Sequence, residues 1–358
     1  MVRTRAYLDW NATTPLRAEA RAAMIAAMDI VGNPSSVHAE GRAAKALVEK
    51  SRGQIAEAFG ADGADIVFTS SATEAAALAL EGRDLAAAVI EHDAVGAWTA
   101  PSLAVDAAGA VTVPDPARAT LQLANSETGV VQTLPDGLAV SDMTQAFGKL
   151  PLAFNWTGAQ MALISAHKLG GPKGIGALVL RRGTDLAPRI RGGGQEMGRR
   201  SGTENVIGIA GFAAAAQAAM RDLESGVWER VAQFRNILEK ALESESKEII
   251  LVGKGTDGAA GSGVAQRLPN TSCIAVPGWK GETQVMQMDL AGFAISAGSA
   301  CSSGKVRASR VLQAMGHDDT TAASAIRVSL GPDTTENEVH RFAEAWIAQY
   351  RKYCARAA

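Results

Sequence analysis

The chain has 358 residues, 47% of them hydrophobic and 20% charged, and its 35 Lys and Arg against 37 Asp and Glu leave a net charge of −2. That composition excludes a largely disordered chain and leaves no basic footprint for nucleic acid or an anionic membrane, so a small uncharged or zwitterionic partner is expected. The length suffices for one large and one smaller domain.

In chain order, MVRTRAYLDW has basic residues with no apolar core behind them. No uninterrupted apolar run approaches a bilayer span, so a cytoplasmic protein is expected. The runs at 66–69, 87–90, 120–125, 137–142, 160–165 and 176–182 read as strands, and Ala-rich helical stretches separate several of them. Continuous apolar strands of this kind imply an α/β layer architecture with a mainly parallel sheet covered on both faces. Two helical segments lie between 204 and 247, the second of them, VWERVAQFRNILEKAL, a candidate hinge. Glycine-rich 253–263 reads as a loop. Strands at 272–276, 293–296 and 325–330 then alternate with helices at 281–291, 306–315 and from about Thr335. This suggests a smaller α/β domain; the expected division is 11–224 and 225–358, with segment 1–10 joining the two.

Three widely spaced cysteines, Cys273, Cys301 and Cys354, argue against a disulfide framework, and the five histidines show no metal-ligand spacing, so no metal site is expected. GSACSSGKV at 298–306 resembles a phosphate-binding P-loop, but its glycine interval is one residue too long and Val306 stands where Ser or Thr is required. Cys273 lies in an apolar strand and reads as structural. Cys301 lies on a loop of small residues, as a travelling nucleophile would, and Lys305 and Arg307 could favour its thiolate.

Two lysines, Lys168 and Lys173, flank the glycine-rich corner after strand 160–165. A lysine in a sheltered site among glycines suits a Schiff base with pyridoxal phosphate, which also requires a carboxylate at its pyridine nitrogen. Asp142, closing strand 137–142, is the candidate carboxylate. Ser71, Ala72 and Thr73 before a helical run, with Glu74 in its first turn, offer hydroxyl and N–H donors for a phosphate.

The ordered motifs YLDWNATTP (7–15), GNPSSVH (32–38), FTSSATE (68–74), EH (91–92), ANSETGVVQ (124–132), DMTQ and GKLP (142–151), SAHKLGGPKGIGAL (165–178), GGGQE and RRSGTEN (192–205), SAGSACSS (296–303) and IRVSLG (326–331) resemble the class V, fold-type-I pyridoxal-phosphate enzymes. They look most like cysteine desulfurases of the NifS/IscS type. The resemblance implies a large domain on a trimmed, seven-stranded-type sheet plus a smaller α/β domain. It implies Lys168 as the covalent anchor of pyridoxal 5'-phosphate, His92 stacked on its ring, Asp142 at the pyridinium and Gln145 and Ser126 near the phenolic oxygen. It places Ala72, Thr73, Ser165 and His167 around the phosphate, and Thr203 at the phosphate of a neighbouring subunit, which implies a homodimer. Arg327, with Asn33 and Ser126, would hold the carboxylate of L-cysteine. Cys301 would take its sulfur as a persulfide, release alanine and pass the sulfur to an acceptor protein for iron–sulfur cluster or thiolated-nucleoside synthesis. The loop pattern GSAC matches the IscS-like branch. An aminotransferase, a selenocysteine lyase or a fold relative with lost turnover are the alternatives.

The chain departs from the family at Ser126, where a second Asn is usual, at Ser71 in place of a glycine, at Ala75, Ala76 and Ala77 in place of a polar triplet, and at Met143, which would crowd the pocket. Between Gln132 and Asp142 there is no room for a crossover helix, and Leu80–Val89 is similarly trimmed.

Overall fold

The computed structural model describes residues 5–255, 266–298 and 308–357. In chain order the elements are β1 (Ala6–Tyr7), α1 (Ala18–Met28), α2 (Ala39–Ala58), β2 (Asp65–Thr69), α3 (Ala72–Leu80), β3 (Ala86–Ala88), α4 (Asp93–Gly96), β4 (Ala100–Leu103), β5 (Val140–Asp142), β6 (Met161–Ser165), β7 (Gly176–Leu180), α5 (Val206–Glu224) and α6 (Val227–Glu245). They continue with β8 (Ile250–Val252), β9 (Thr271–Ala275), α7 (Gly281–Leu290), β10 (Phe293–Ala294), β11 (Ser296–Ala297), α8 (Arg310–Ala314), α9 (Asp319–Ala322), β12 (Ile326–Ser329) and α10 (Glu336–Ala357).

The first sheet has the order β2-β7-β6-β5. Beyond β5 it is continued by parallel bridges Thr120↔Val140 and Ala86↔Ala119, then by the parallel pair β3 and β4, which makes seven strand positions. Only β7 runs against its neighbours. Side chains along each strand alternate between two cores. Ile66, Phe68, Ala162, Ile164, Ala177 and Val179 face the cluster under α2 and α5, whereas Val67, Met161, Leu163, Leu178 and Leu180 face the one beneath α3. Burial on both faces is why these strands read as continuous apolar runs rather than as alternation.

Several expectations are corrected. Segment 120–125 forms isolated bridges in place of a regular strand, and the strands expected at 87–90 and 137–142 shorten to β3 and β5. The expected strand 293–296 divides: β10 pairs with β1, and β11 with β12. The helix expected at 306–315 is regular over α8 only, with Val306 and Arg307 outside the described residues. No helix occupies 132–142, as the spacing predicts. Helix α5 is by length and composition apolar enough to cross a bilayer, although Gln217, Arg221 and Asp222 interrupt its apolar run; 56% of its 18-residue apolar stretch is buried, packed on α1 and α2 as a core helix.

The second sheet, β11-β12-β9-β8, is antiparallel throughout. Its core joins Ile274, Ile326 and Val328 to Trp228, Val231, Leu238 and Leu242 of α6 and to Phe342 and Trp346 of α10. The candidate hinge segment is therefore a packed helix of this core. Ala6 and Leu8 are buried in the same core, and Asp9 bridges to Ser329 in parallel. This docking delivers Asn11 and Ala12 to the C-terminal end of β6.

Candidate active site

Strand β6 ends at buried Ser165 and turns at once into a 3-10 segment, Ala166–Lys168. Gly170 and Gly174 follow with φ of +95° and +79°, a left-handed geometry that glycine adopts without strain. The turn aims Lys168 back at the N-terminal segment, where its Nζ donates to the carbonyl oxygens of Asn11 (2.7 Å) and Ala12 (2.8 Å). Burial and the positive charge of Arg327 pull the Lys168 ammonium down to about 8, against the opposing pull of Asp142 and Asp9. Lys173, by contrast, is exposed.

Asp142 closes β5, with Oδ1 accepting the Thr144 N–H at 2.9 Å. Gln145 is buried one turn on, where its Nε2 donates to the Asn11 carbonyl at 3.0 Å. His167 lies beside Lys168, and its Nδ1 is 3.1 Å from Thr13 Oγ1. Burial, reinforced by Lys168, Lys173, Lys149 and His92, lowers His167 to about 4, so it is neutral at physiological pH. His92 caps α4, accepting the Ala94 N–H at 3.1 Å.

Helix α3 begins where β2 ends because Ser71 caps it, accepting the Glu74 N–H at 3.3 Å, while Glu74 reaches back to the Ser70 N–H at 2.7 Å. Ala72 and Thr73 thus stand in its first turn. Gly176 of β7 lies against this helix start; a Cβ there would fall 2.9 Å from Ala72 N. Thr203 lines a cavity of about 110 Å³ with Ser70, Gly174 and Arg200. Buried Glu196 fixes that loop, with both carboxylate oxygens on Arg52 at 2.8 and 2.9 Å and one also accepting the Phe68 N–H.

Arg327, on β12, is only 8% exposed. Its Nη2 contacts Asp9 at 2.8 Å and its Nη1 donates to the Ser126 carbonyl at 3.1 Å, whereas its buried Nε has no partner among the described residues. Ser126 therefore meets Arg327 through its backbone. Asn33 is exposed in the loop between α1 and α2, where its Oδ1 accepts the Ser35 N–H. Cys301, with Lys305 and Arg307, lies outside the described residues. Cys273 is buried in β9, and burial with nearby Glu127 raises its thiol well above the ordinary value, in keeping with a structural role.

Four groups not assigned a role from the sequence belong to the same neighbourhood. Asn11 ties the strand ends together, Asp9 holds Arg327, and Lys149 is buried at 2% exposure. Glu91, next to His92, is driven up to about 8 by burial and by Asp142, although the Gln122 N–H opposes the shift. A signal was present in the polar residues inside LDWN and in the lysine of GKLP, both set within apolar surroundings.

The sequence model of the aminotransferase class-V family matches residues 6–100 and 101–342. A cysteine desulfurase of Cereibacter sphaeroides is 37% identical over 95% of this chain and 94% of its own. A cysteine desulfurase IscS of Dictyoglomus turgidum is 33% identical, covering 93% and 91%. The solved structure of a NifS-like protein from Rickettsia africae superposes with a TM-score of 0.86 at 31% identity, covering 97% of this chain and 99% of that one. The chain accordingly belongs to the class-V aminotransferase family, among its NifS- and IscS-like members.

Proposed function

We propose that this protein is a pyridoxal 5'-phosphate-dependent cysteine desulfurase that converts L-cysteine to L-alanine and holds the sulfur as a persulfide on Cys301. The observation that carries the reading is Lys168, an amine lowered to about 8 at the end of β6, within electrostatic reach of both Asp142 and Arg327. An amine in that range is partly neutral at physiological pH, as capture of an aldehyde requires.

The residues present fit the cofactor. Lys168 supplies the amine, Asp142 a carboxylate for the ring nitrogen, and Gln145 an amide N–H for the phenolic oxygen. Ala72 and Thr73 at the start of α3, with Ser165 and His167, supply donors for the phosphate. The bare backbone at Gly174 leaves open space beside them, while Gly176 lets β7 pack directly against the start of α3. When bound, pyridoxal phosphate supplies an electron-withdrawing ring that makes bonds to the amino acid's α- and β-carbons labile.

This chain's residues then orient and protonate. Arg327 holds the substrate carboxylate, its buried Nε being a donor without a partner among the described residues, and the family resemblance assigns Asn33 and Ser126 to the same carboxylate. His92, an electrostatic neighbour of His167, would stack on the cofactor's ring. The Lys168 amine would carry the proton of the substrate's α-carbon. The Cys301 thiol takes the sulfur: cysteine and thiol become alanine and persulfide, so atoms and electrons balance without an external oxidant.

The finer reading includes a cytoplasmic homodimer in which Thr203 reaches the neighbouring subunit's phosphate. It includes division at 11–224 and 225–358, supported by the separate buried cores, and a sulfur-acceptor protein feeding iron–sulfur cluster or thiolated-nucleoside synthesis. Support for the substrate comes from the relatives' names and from a solved neighbour, SspA in complex with cysteine, at 27% identity and a TM-score of 0.73. Reconstitution with pyridoxal phosphate is the test: a visible band that Lys168→Ala abolishes is expected, and wild-type protein without any band overturns the reading.

A further inference from the structure

Lys149 has no place in the chemistry above, yet it is among the most deeply buried side chains of the protein. It lies four residues beyond Gln145, in the turns that follow β5. Its Nζ meets two acceptors, Gln145 Oε1 at 2.6 Å and Asn11 Oδ1 at 3.2 Å, both of them uncharged side-chain amide oxygens. A neutral amine has two N–H groups, matching these two acceptors. Burial, together with the charges of Lys168 and Arg327, favours that neutral form by lowering the group well below its ordinary value.

The two acceptors lead directly to Lys168. With Oε1 occupied by Lys149, the Gln145 amide is fixed in one of its two flips, and its Nε2 points to the Asn11 carbonyl at 3.0 Å. That same carbonyl oxygen accepts from Lys168 Nζ at 2.7 Å. The Asn11 side chain is itself clamped, accepting from Asn270 at 3.1 Å and donating to Thr271 Oγ1 at 2.8 Å and to the Ser126 carbonyl at 3.2 Å. A hydrophobic side chain in place of Lys149 would fill the space without the desolvation cost of an amine, but it would leave the Gln145 amide free to turn.

We propose that Lys149 is a positioning residue for Lys168: it fixes the Gln145 amide so that Gln145 shares the Asn11 carbonyl and weakens that carbonyl's hold on the Lys168 ammonium. The inference rests on the assignment of Lys168 as the cofactor's anchor. The charged groups that act most on Lys168 are Arg327, Asp142 and Asp9, and all three remain in the variants below, as does neighbouring His167; Lys149, whose neutral form burial favours, is the one titratable neighbour that Lys149→Met removes and Gln145→Leu keeps.

The test measures how fast cofactor-free protein captures pyridoxal phosphate as pH is raised, followed by growth of the visible band without cysteine. The neutral amine adds to the aldehyde carbon and water leaves, so the rate reports the ionisation of Lys168. Wild type is expected to show a midpoint near about 8. Lys149→Met and Gln145→Leu should each move it upward, by about half a unit, which makes capture at pH 7 about threefold slower. The double variant should add nothing further. Midpoints unchanged in Gln145→Leu, or in a folded Lys149→Met whose only defect is a lower melting temperature, overturn the inference. No band in wild type overturns the assignment of Lys168 itself, and the inference with it.

Discussion

The carboxylate of Asp9 lies 2.8 Å from Arg327 Nη2, and Ser296 Oγ donates to both Asp9 oxygens at 2.8 Å. On the proposed function, Asp9 would neutralise part of the charge that the substrate carboxylate meets at Arg327. The pair spans the protein from its N-terminal segment to β12, and both side chains are largely buried.

Asp9→Asn keeps an oxygen for Arg327 but removes the charge. Leaving a buried guanidinium without its counter-ion is expected to cost about 1–3 kcal/mol, less than for a fully buried pair. A substrate carboxylate should restore the missing charge, so L-cysteine should raise the melting temperature of the variant more than that of wild type, and KM should fall. Equal thermal shifts with cysteine, or a higher KM, would contradict this relation between Asp9 and Arg327.

Glu91 provides a test by pH. Its carboxyl is raised in the folded state to about 8, chiefly by burial, so folding favours the protonated form. Once the pH passes the ordinary carboxyl value the unfolded chain ionises while the folded one does not, and stability is lost progressively until the pH reaches the folded value. Glu91→Gln keeps an acceptor for the Gln122 N–H and abolishes that loss. The variant should match wild type near pH 5 and exceed it by roughly 2–3 kcal/mol near pH 7 in denaturant unfolding of the cofactor-free protein. A difference independent of pH would show that Glu91 is already ionised in the fold.

Much of this architecture is legible in the sequence, and the reasons are local. Lys168 stands out because an apolar strand ends in a lysine followed by glycines, and Ser71 because a capping residue precedes an Ala-rich helix with Glu74 at the right spacing. Segment 120–125 misleads because burial on both sides makes any extended segment look like a strand, whether or not its bridges are continuous. Strand β4 was not expected: it contains Pro101, which a sheet accepts at its edge, and β4 is the last strand of this one.

The network about Lys149 was not legible for a different reason. Asn11 and Lys149 are 138 positions apart, and Asn11 and Asn270 are 259 apart. Only the docking of Ala6 and Leu8 into the second core brings them together. Likewise, a sequence shows that Glu91 and Glu127 are carboxylates but not that burial raises them to about 8 and about 7.

The central claim is that Lys168 and Cys301 divide the work, one anchoring the cofactor and the other accepting sulfur. The most direct measurement is sulfide and alanine production from L-cysteine with a thiol reductant, run on wild type and Cys301→Ala side by side with the visible band recorded. Wild type should release both products in equal amounts, and Cys301→Ala should release neither while keeping the band. Undiminished sulfide release from Cys301→Ala would contradict the account.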